Sequence, residues 1–491
     1  MTGAERPRTS LRLVLFNSST LFAAQISTRL LSLVLVVAMG HWLGSEEVGR
    51  YSFAMTVFVL LDVLGDFGLR PLLMREITRE PERAAWYFSR ALALKIVIVL
   101  VSTAATSLAL WGAPIPAETR MLALLFLAAL LPNIALATVK SVFLAMERMH
   151  IEAVAVVCQQ ASFALGGLAM LALGGPLELL AGWFFVTLAG AAAAVYGALR
   201  GSLRGAPARG PWRKLLSDLR GLLVQAAPFA VTGLFAILYF KVDIVMLELL
   251  RGEEEVGLYS MGYRFIEALT FVSISLMSAL YPLYSRLHGK SMSTELAMLH
   301  ETVAVGMAVV AVPLTLGTMA LGPSVIGWLL PPSFAESGVI LCLLAPALGL
   351  LTFNSVLVTL VNACDRASRV TRATAISFLF NVAANAIAIP IWGMYGAAVS
   401  TVASEGLILL LLEKDAREQV GYRLPVAALL RGPAAGGVAA VAAFAMAARW
   451  LEWGTEMAAV VGASTFLAWL GLAGVIGSGK LRDFRSVLRS G

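Results

Sequence analysis

The residues best equipped for chemistry in this chain are ionisable side chains embedded in long apolar runs. Arg29, Asp62, Lys140, Lys241, Asp243, Arg264 and Glu267 all lie well inside such runs. A charge at the centre of a bilayer costs at least about 2.5–3.5 kcal/mol on insertion scales, so each needs a partner or a water-filled crevice. Arg29 and Asp62 stand equally far from the turn at Ser45 and Glu46, at about 25 Å by helical rise, and could pair. Lys241 and Arg264 are nearly level around the acidic turn near Gly252, with Asp243 and Glu267 close by. Two chemistries stay open. In a wet crevice Arg29, Lys241 and Arg264, with Asp62, Lys140 and Glu267 beside them, would hold a phosphate-bearing ligand, Arg through bidentate contacts and Lys as a point charge. In dry packing the same groups are ion pairs that fix helix register. Lys140, about two turns from the end of its run, could also snorkel to the interface.

A second constellation is polar without positive charge. Asn381 and Asn385 share one helix face, and Thr401 follows Ala397 by one helical turn in the next run. With Asp243 they supply one carboxylate and several neutral oxygens, a ligand set suited to a small hard cation such as sodium. Amide hydrogen bonding between helices is the competing reading. A proton at Asp243, Glu267 or Glu405 is the rival coupling ion. Asp66 and Arg70, one turn apart, could pair as a gate. Cys158, Cys342 and Cys364 and the four histidines form no metal-ligand spacing, and no cofactor is expected beyond a coupling Na+ or H+.

The elements that must position these groups are membrane helices. Hydrophobic residues make up 59% of the 491, charged ones 14%, and mean hydropathy is +0.84, too apolar for a soluble domain. Fourteen apolar spans can be marked, among them 47–69, 119–146, 425–448 and 457–478, each long enough to cross a bilayer. Backbone in hydrocarbon must bond to itself, so they are helices. Of the 37 Lys and Arg residues, 29 fall at the termini or in alternate gaps, only Arg50, Arg120, Arg251 and Arg449 occupy the intervening ones, and four lie inside the apolar runs. That asymmetry predicts a multi-pass protein with both termini in the cytoplasm. It also argues against nucleic acid, since the basic residues are dispersed over many gaps. The first span is too long, and too polar at Arg29, for a cleaved signal and is expected to be retained.

The chain repeats itself. Residues 46–52 read EEVGRYS and residues 254–260 read EEVGLYS; PLLMR from Pro71 returns as PLYSR from Pro282, and Glu147-Arg148 returns as Asp365-Arg366. Each repeat holds six spans, an even number, so the two run parallel about an axis along the membrane normal. The expected organisation is a six-helix bundle at 1–199, a basic cytoplasmic linker at 200–222, a second bundle at 223–413, and two added helices with a cytoplasmic tail at 414–491.

With the six-plus-six-plus-two plan, the EEVGxYS turns, YFKVDIVML in the seventh span and GMYGAAVST at the twelfth, the chain resembles the polysaccharide transporter, or oligosaccharide flippase, family. That family shares a superfamily with multidrug extruders and lipid II flippases. The resemblance implies an all-α fold around a central cavity, alternating access, and passage of an undecaprenyl-diphosphate-linked oligosaccharide across the bacterial cytoplasmic (inner) membrane, with the bilayer and other polysaccharide assembly proteins as partners. It also implies that sodium-binding relatives are a pattern for Asp243, Asn381, Asn385 and Thr401. A cation-coupled drug extruder is the alternative, though three basic residues at cavity depth suit organic cations poorly. Lipid II is a narrower alternative; such relatives carry several arginines in the first span, where this chain has Arg29. Every translocated loop is short, which leaves no room for an outer-face enzyme, and no filter segment suggests a channel.

Overall fold

The computed structural model describes residues 11–202, 215–420, 435–449, 460 and 462–468, and its regular elements are all helical. They are α1 (Leu11–Trp42), α2 (Ser45–Asp66), α3 (Leu69–Arg79), α4 (Ala84–Gly112), α5 (Ala117–Ala128), α6 (Leu130–Ala145), α7 (Met149–Ala172), α8 (Leu177–Ser202), α9 (Leu215–Arg251), α10 (Glu253–Gly289), α11 (Ser293–Leu329), α12 (Ala335–Ala363), α13 (Ala367–Trp392), α14 (Met394–Val420) and α15 (Ala435–Arg449). Among the described residues, 12 helical stretches are long and apolar enough to cross a membrane. The two remaining predicted spans, 425–448 and 457–478, lie partly outside the described residues; α15 and the helical residues 462–468 occupy what is seen of them. The all-α plan of fourteen spans therefore fits.

Helix breaks fall near the end of the predicted span 47–69 and inside the span 119–146. After α2 the backbone turns left-handed at Phe67 (φ 44) and Gly68 (φ 69), and α3 restarts at Leu69. A side chain at Gly68 would strike the backbone of Ala230 and Ala226 and the Cβ of Phe229, so the break is also where α9 rests on this corner. The second break, between α5 and α6, falls just before Pro132, which sits in the first turn of α6 where its missing N–H leaves no bond unmade. Pro313 and Pro346 are carried inside the continuous helices α11 and α12.

The chain divides into two compact units, Met1–Gly257 and Leu258–Gly491. The division falls at Gly257 and not in the expected 200–222 linker, of which residues 203–214 lie outside the described residues. Helix α9 thus belongs with the first unit, packed on α2, α3 and α4. In that unit the ring of Phe184 on α8 meets Phe58 on α2, Phe126 on α5 and Phe163 on α7, with centroids 5.2, 5.5 and 4.9 Å away. The second unit is held by pairing of α11 with α12 and of α14 with both α12 and α13.

The repeat read in the sequence returns as backbone geometry. Gly44 (φ 87) and Gly252 (φ 90) open the two EEVG turns, and Glu147 and Asp365 share φ 59. Behind those last two residues the Arg148 N–H donates to Phe143 O at 2.9 Å and the Arg366 N–H donates to Val361 O at 3.1 Å. Both are the six-to-one bond of a helix ended by a left-handed residue. The EEVG glycines serve another purpose. A side chain on Gly49 would strike the carbonyl of Glu253, and one on Gly257 that of Ser45, so the two copies lie backbone against backbone. We predict that Gly49→Ala destabilises the detergent-solubilised protein by roughly 1–3 kcal/mol, the usual cost of overpacking. Gly190→Ala, where an added methyl meets open space, should leave the thermal midpoint unchanged; equal midpoints for the two variants would contradict the close approach.

Candidate functional site

In the first unit, charged side chains from five helices converge. Asp62 and Asp66 stand one turn apart on α2, Arg70 opens α3, Lys95 comes from α4, Lys140 from α6 and Glu152 from the first turn of α7. Lys95 is fully buried, and its Nζ lies 2.6 Å from Asp66 Oδ1. Asp66 Oδ2 accepts the Arg70 backbone N–H at 3.2 Å, so one carboxylate both neutralises a lysine and caps the restart of the chain after Gly68. The Arg70 guanidinium reaches across to Glu152 Oε1, 3.0 Å away. Asp62 accepts a 2.6 Å hydrogen bond from the carboxamide of Asn133 on α6. Lys140 is half-buried within electrostatic reach of Glu152, Arg70 and Asp62, yet among the described residues it makes no direct ion pair or hydrogen bond.

Several of these partners differ from the sequence expectation. Asp62 bonds to Asn133 where Arg29 was expected, and Arg29 lies exposed on α1. Asp66 and Arg70 meet only through the backbone, because each side chain has a different counter-charge. Lys140, instead of reaching only for the interface, sits among the charges of α2, α3 and α7. On α9, Lys241 is half-buried and Asp243 is buried, with Oδ1 accepting the Ile244 N–H at 2.9 Å. Arg264 and Glu267 are half-buried on α10, in the second unit.

The polar constellation of the second unit is a relay. Asn385 donates to Asn381 Oδ1 at 2.9 Å, Asn381 donates to Ser404 Oγ at 3.0 Å, and Ser404 donates to the Ser400 carbonyl at 2.6 Å. This ties α13 to α14 as interhelical amide bonding would. Thr401 donates to Ala397 O at 2.9 Å and lies 3.3 Å from the Tyr259 hydroxyl. Glu405 accepts from the Asn354 carboxamide at 2.7 Å, joining α14 to α12. Two amide acceptors are left over: Asn354 Oδ1 and Asn385 Oδ1 are buried with no hydrogen bond among the described residues, and a small hard cation would satisfy such an oxygen. Among the described residues no cluster of three His, Cys, Asp or Glu side chains could hold a metal. The cysteines are free thiols.

Sequence reasoning missed a third cluster. Arg50, at the head of α2, gathers Glu46, Glu47, Glu118 and Glu253 at 2.7, 2.8, 2.6 and 2.7 Å, and Thr119 hydrogen-bonds to Glu253 as well. The only signal was its place in the repeat: EEVGRYS carries Arg50 where EEVGLYS carries Leu258.

Comparison with known proteins gives a family for the sequence and relatives for the fold. The sequence profile described as polysaccharide biosynthesis protein matches residues 14–288, and a MatE profile matches residues 228–387. A relative from Haloferax volcanii, described as a probable low-salt glycan biosynthesis flippase, Agl15, is 20% identical over 79% of this chain and 80% of its own. The fold is similar to that of the lipid II flippase MurJ in an inward closed conformation, with a TM-score of 0.77 at 14% identity over 92% of this chain and 98% of that one. It is also similar to an inward-facing multidrug resistance MATE family transporter, with a TM-score of 0.67 at 15% identity over 80% and 94% of the two chains.

The pair of Lys95 and Asp66 yields a stability prediction. Removing one partner of a buried ion pair strands the other charge, at about 3–5 kcal/mol, whereas replacing both by apolar groups is often near neutral. Lys95→Met should therefore lower the thermal midpoint more than Lys95→Met combined with Asp66→Leu. A double variant less stable than the single would refute the pairing.

Proposed function

The chain belongs to the polysaccharide biosynthesis protein family, and from that membership we infer that it is a flippase moving an undecaprenyl-diphosphate-linked oligosaccharide from the cytoplasmic to the outer leaflet by alternating access. The observation that carries the reading is Lys140, a half-buried cation in an apolar helix, without a direct counter-ion among the described residues. A diphosphate supplies the missing negative charge, and Arg70, whose guanidinium remains half-exposed beside Glu152, adds a second positive group. Arg29, Lys241 and Arg264 extend the same proposal along α1, α9 and α10. The glycan flippase name of the Haloferax volcanii relative supports the substrate class. In this reading the chain works in the cytoplasmic membrane with both termini inside, beside other polysaccharide assembly proteins. Coupling to Na+ or H+ is part of it, with Asp243 and the free oxygen of Asn385 as the groups to test.

The second reading, a drug extruder, draws on the MatE match. It calls for a cavity attractive to organic cations, which uncommitted Lys140 disfavours.

Leaflet-specific detection of lipid-linked glycan separates the two. Cells carrying Lys140→Met at normal protein level should accumulate glycan on the cytoplasmic side, with outer-leaflet glycan reduced at least about tenfold, the consequence of losing one charge-assisted contact of roughly 1.4 kcal/mol or more. Unaltered outer-leaflet glycan, together with increased resistance to cationic dyes on overexpression of the unmodified chain, would favour the extruder. Asp243→Asn should abolish any dependence of glycan transfer on a sodium gradient; retained dependence removes Asp243 from coupling.

A further inference from the structure

The second unit contains a cleft of about 380 Å³ between α10 and α12, within the range of roughly 300–1,000 Å³ usual for ligand sites. None of its lining residues is charged. The internal repeat explains why that matters. The register that aligns Pro71 with Pro282 sets Asp62 against Ser273, Asp66 against Met277 and Arg70 against Tyr281. The register that aligns Glu147 with Asp365 sets Lys140 against Val358 and Asn133 against Leu351, next to Thr352. Met277, Tyr281 and Val358 all line the cleft. Ser273, the counterpart of Asp62, bonds to Thr352 at 2.9 Å, one residue beyond the counterpart of Asn133. The cleft thus holds the repeat counterparts of Asp66, Arg70 and Lys140, each exchanged for an uncharged residue.

Its polar atoms are specific in what they offer. The hydroxyls of Ser278, Ser355 and Thr359 donate to the carbonyls of Ile274, Thr352 and Ser355 in their own helices at 2.8, 2.7 and 2.7 Å, which commits their protons and leaves lone pairs to accept. The Asn362 carboxamide and the Tyr281 phenol have no hydrogen-bond partner among the described residues, and Tyr281 is 42% exposed. A row of acceptors, one free amide and one open aromatic face suits a neutral ligand rich in hydroxyl donors and carrying apolar ring faces. The geometry points to this cleft as the subsite for the uncharged saccharide portion of the lipid-linked substrate. A phosphate finds no cation there, and a purely hydrocarbon tail leaves the free amide unanswered.

This assignment rests on the flippase reading, and the test keeps the two apart. Purified protein in nanodiscs is titrated with undecaprenyl diphosphate carrying N-acetylglucosamine and, separately, with bare undecaprenyl diphosphate. Asn362→Leu and Tyr281→Ala should each weaken binding of the glycosylated lipid about tenfold, the loss expected of one hydrogen bond or one stacked ring, and leave the bare lipid bound as before. The retained bare-lipid affinity certifies that both variants are folded. Unchanged affinity for both lipids overturns the assignment, and an equal loss for both assigns the cleft to the isoprenyl tail instead. An unmodified protein that binds neither lipid would sink the flippase reading and the subsite with it.

Discussion

Hydrocarbon cannot solvate a charge, so every ionised group inside this protein must be answered by another part of the chain or by a ligand. Lys95 and Asp66 satisfy that condition inside the first unit, and the arrangement around them follows. Asp66 is held by Lys95 and therefore cannot take the Arg70 guanidinium, which turns to Glu152. Asp62 is satisfied by a neutral carboxamide from Asn133. Within this cluster Lys140 is left without a direct partner among the described residues. A local requirement for neutrality thus leaves one position with unanswered positive charge.

The repeat gives this cluster a built-in comparison. The two copies keep their turns, with Glu147 matching Asp365 and Gly44 matching Gly252 in backbone conformation. Each also has a polar contact between helices nearby, Asn133 with Asp62 and Thr352 with Ser273, though the second partner is shifted by one residue. What they do not keep is charge. Backbone geometry is constrained by packing in both copies, whereas side-chain chemistry has diverged, as duplicated elements do when their binding tasks separate.

The spans, the repeat and its turns were legible because they depend on local sequence: length of apolar run, a left-handed residue at a helix end, a recurring string. The helical breaks at Phe67 and before Leu130 were not, because the apolar runs continue across them. Partners were read less well than positions. Depth along a helix can be counted from a turn, which placed Arg29 and Asp62 level, but the direction each side chain faces depends on which helices are neighbours. Asn133, on α6 while Asp62 is on α2, was therefore invisible as its partner. Lys95 stands near other basic residues in the sequence, which gives no sign that it is fully buried. The Arg50 cage was hidden for a similar reason, since Glu118 and Glu253 reach it from distant parts of the chain.

The place where the first unit ends bears on how the protein is made. Its boundary at Gly257 means that α9 and the head of α10, including the Glu253 carboxylate on Arg50, are structural members of the N-terminal half. As the chain emerges from the ribosome, the first eight helices enter the bilayer before those pieces exist. The early bundle waits, with Arg50 short of one carboxylate and the corner at Gly68 uncovered, until synthesis has passed residue 257. Assembly is in this sense out of step with the duplicated pattern, and a polypeptide cut in the basic linker would separate α9 from the surfaces that receive it.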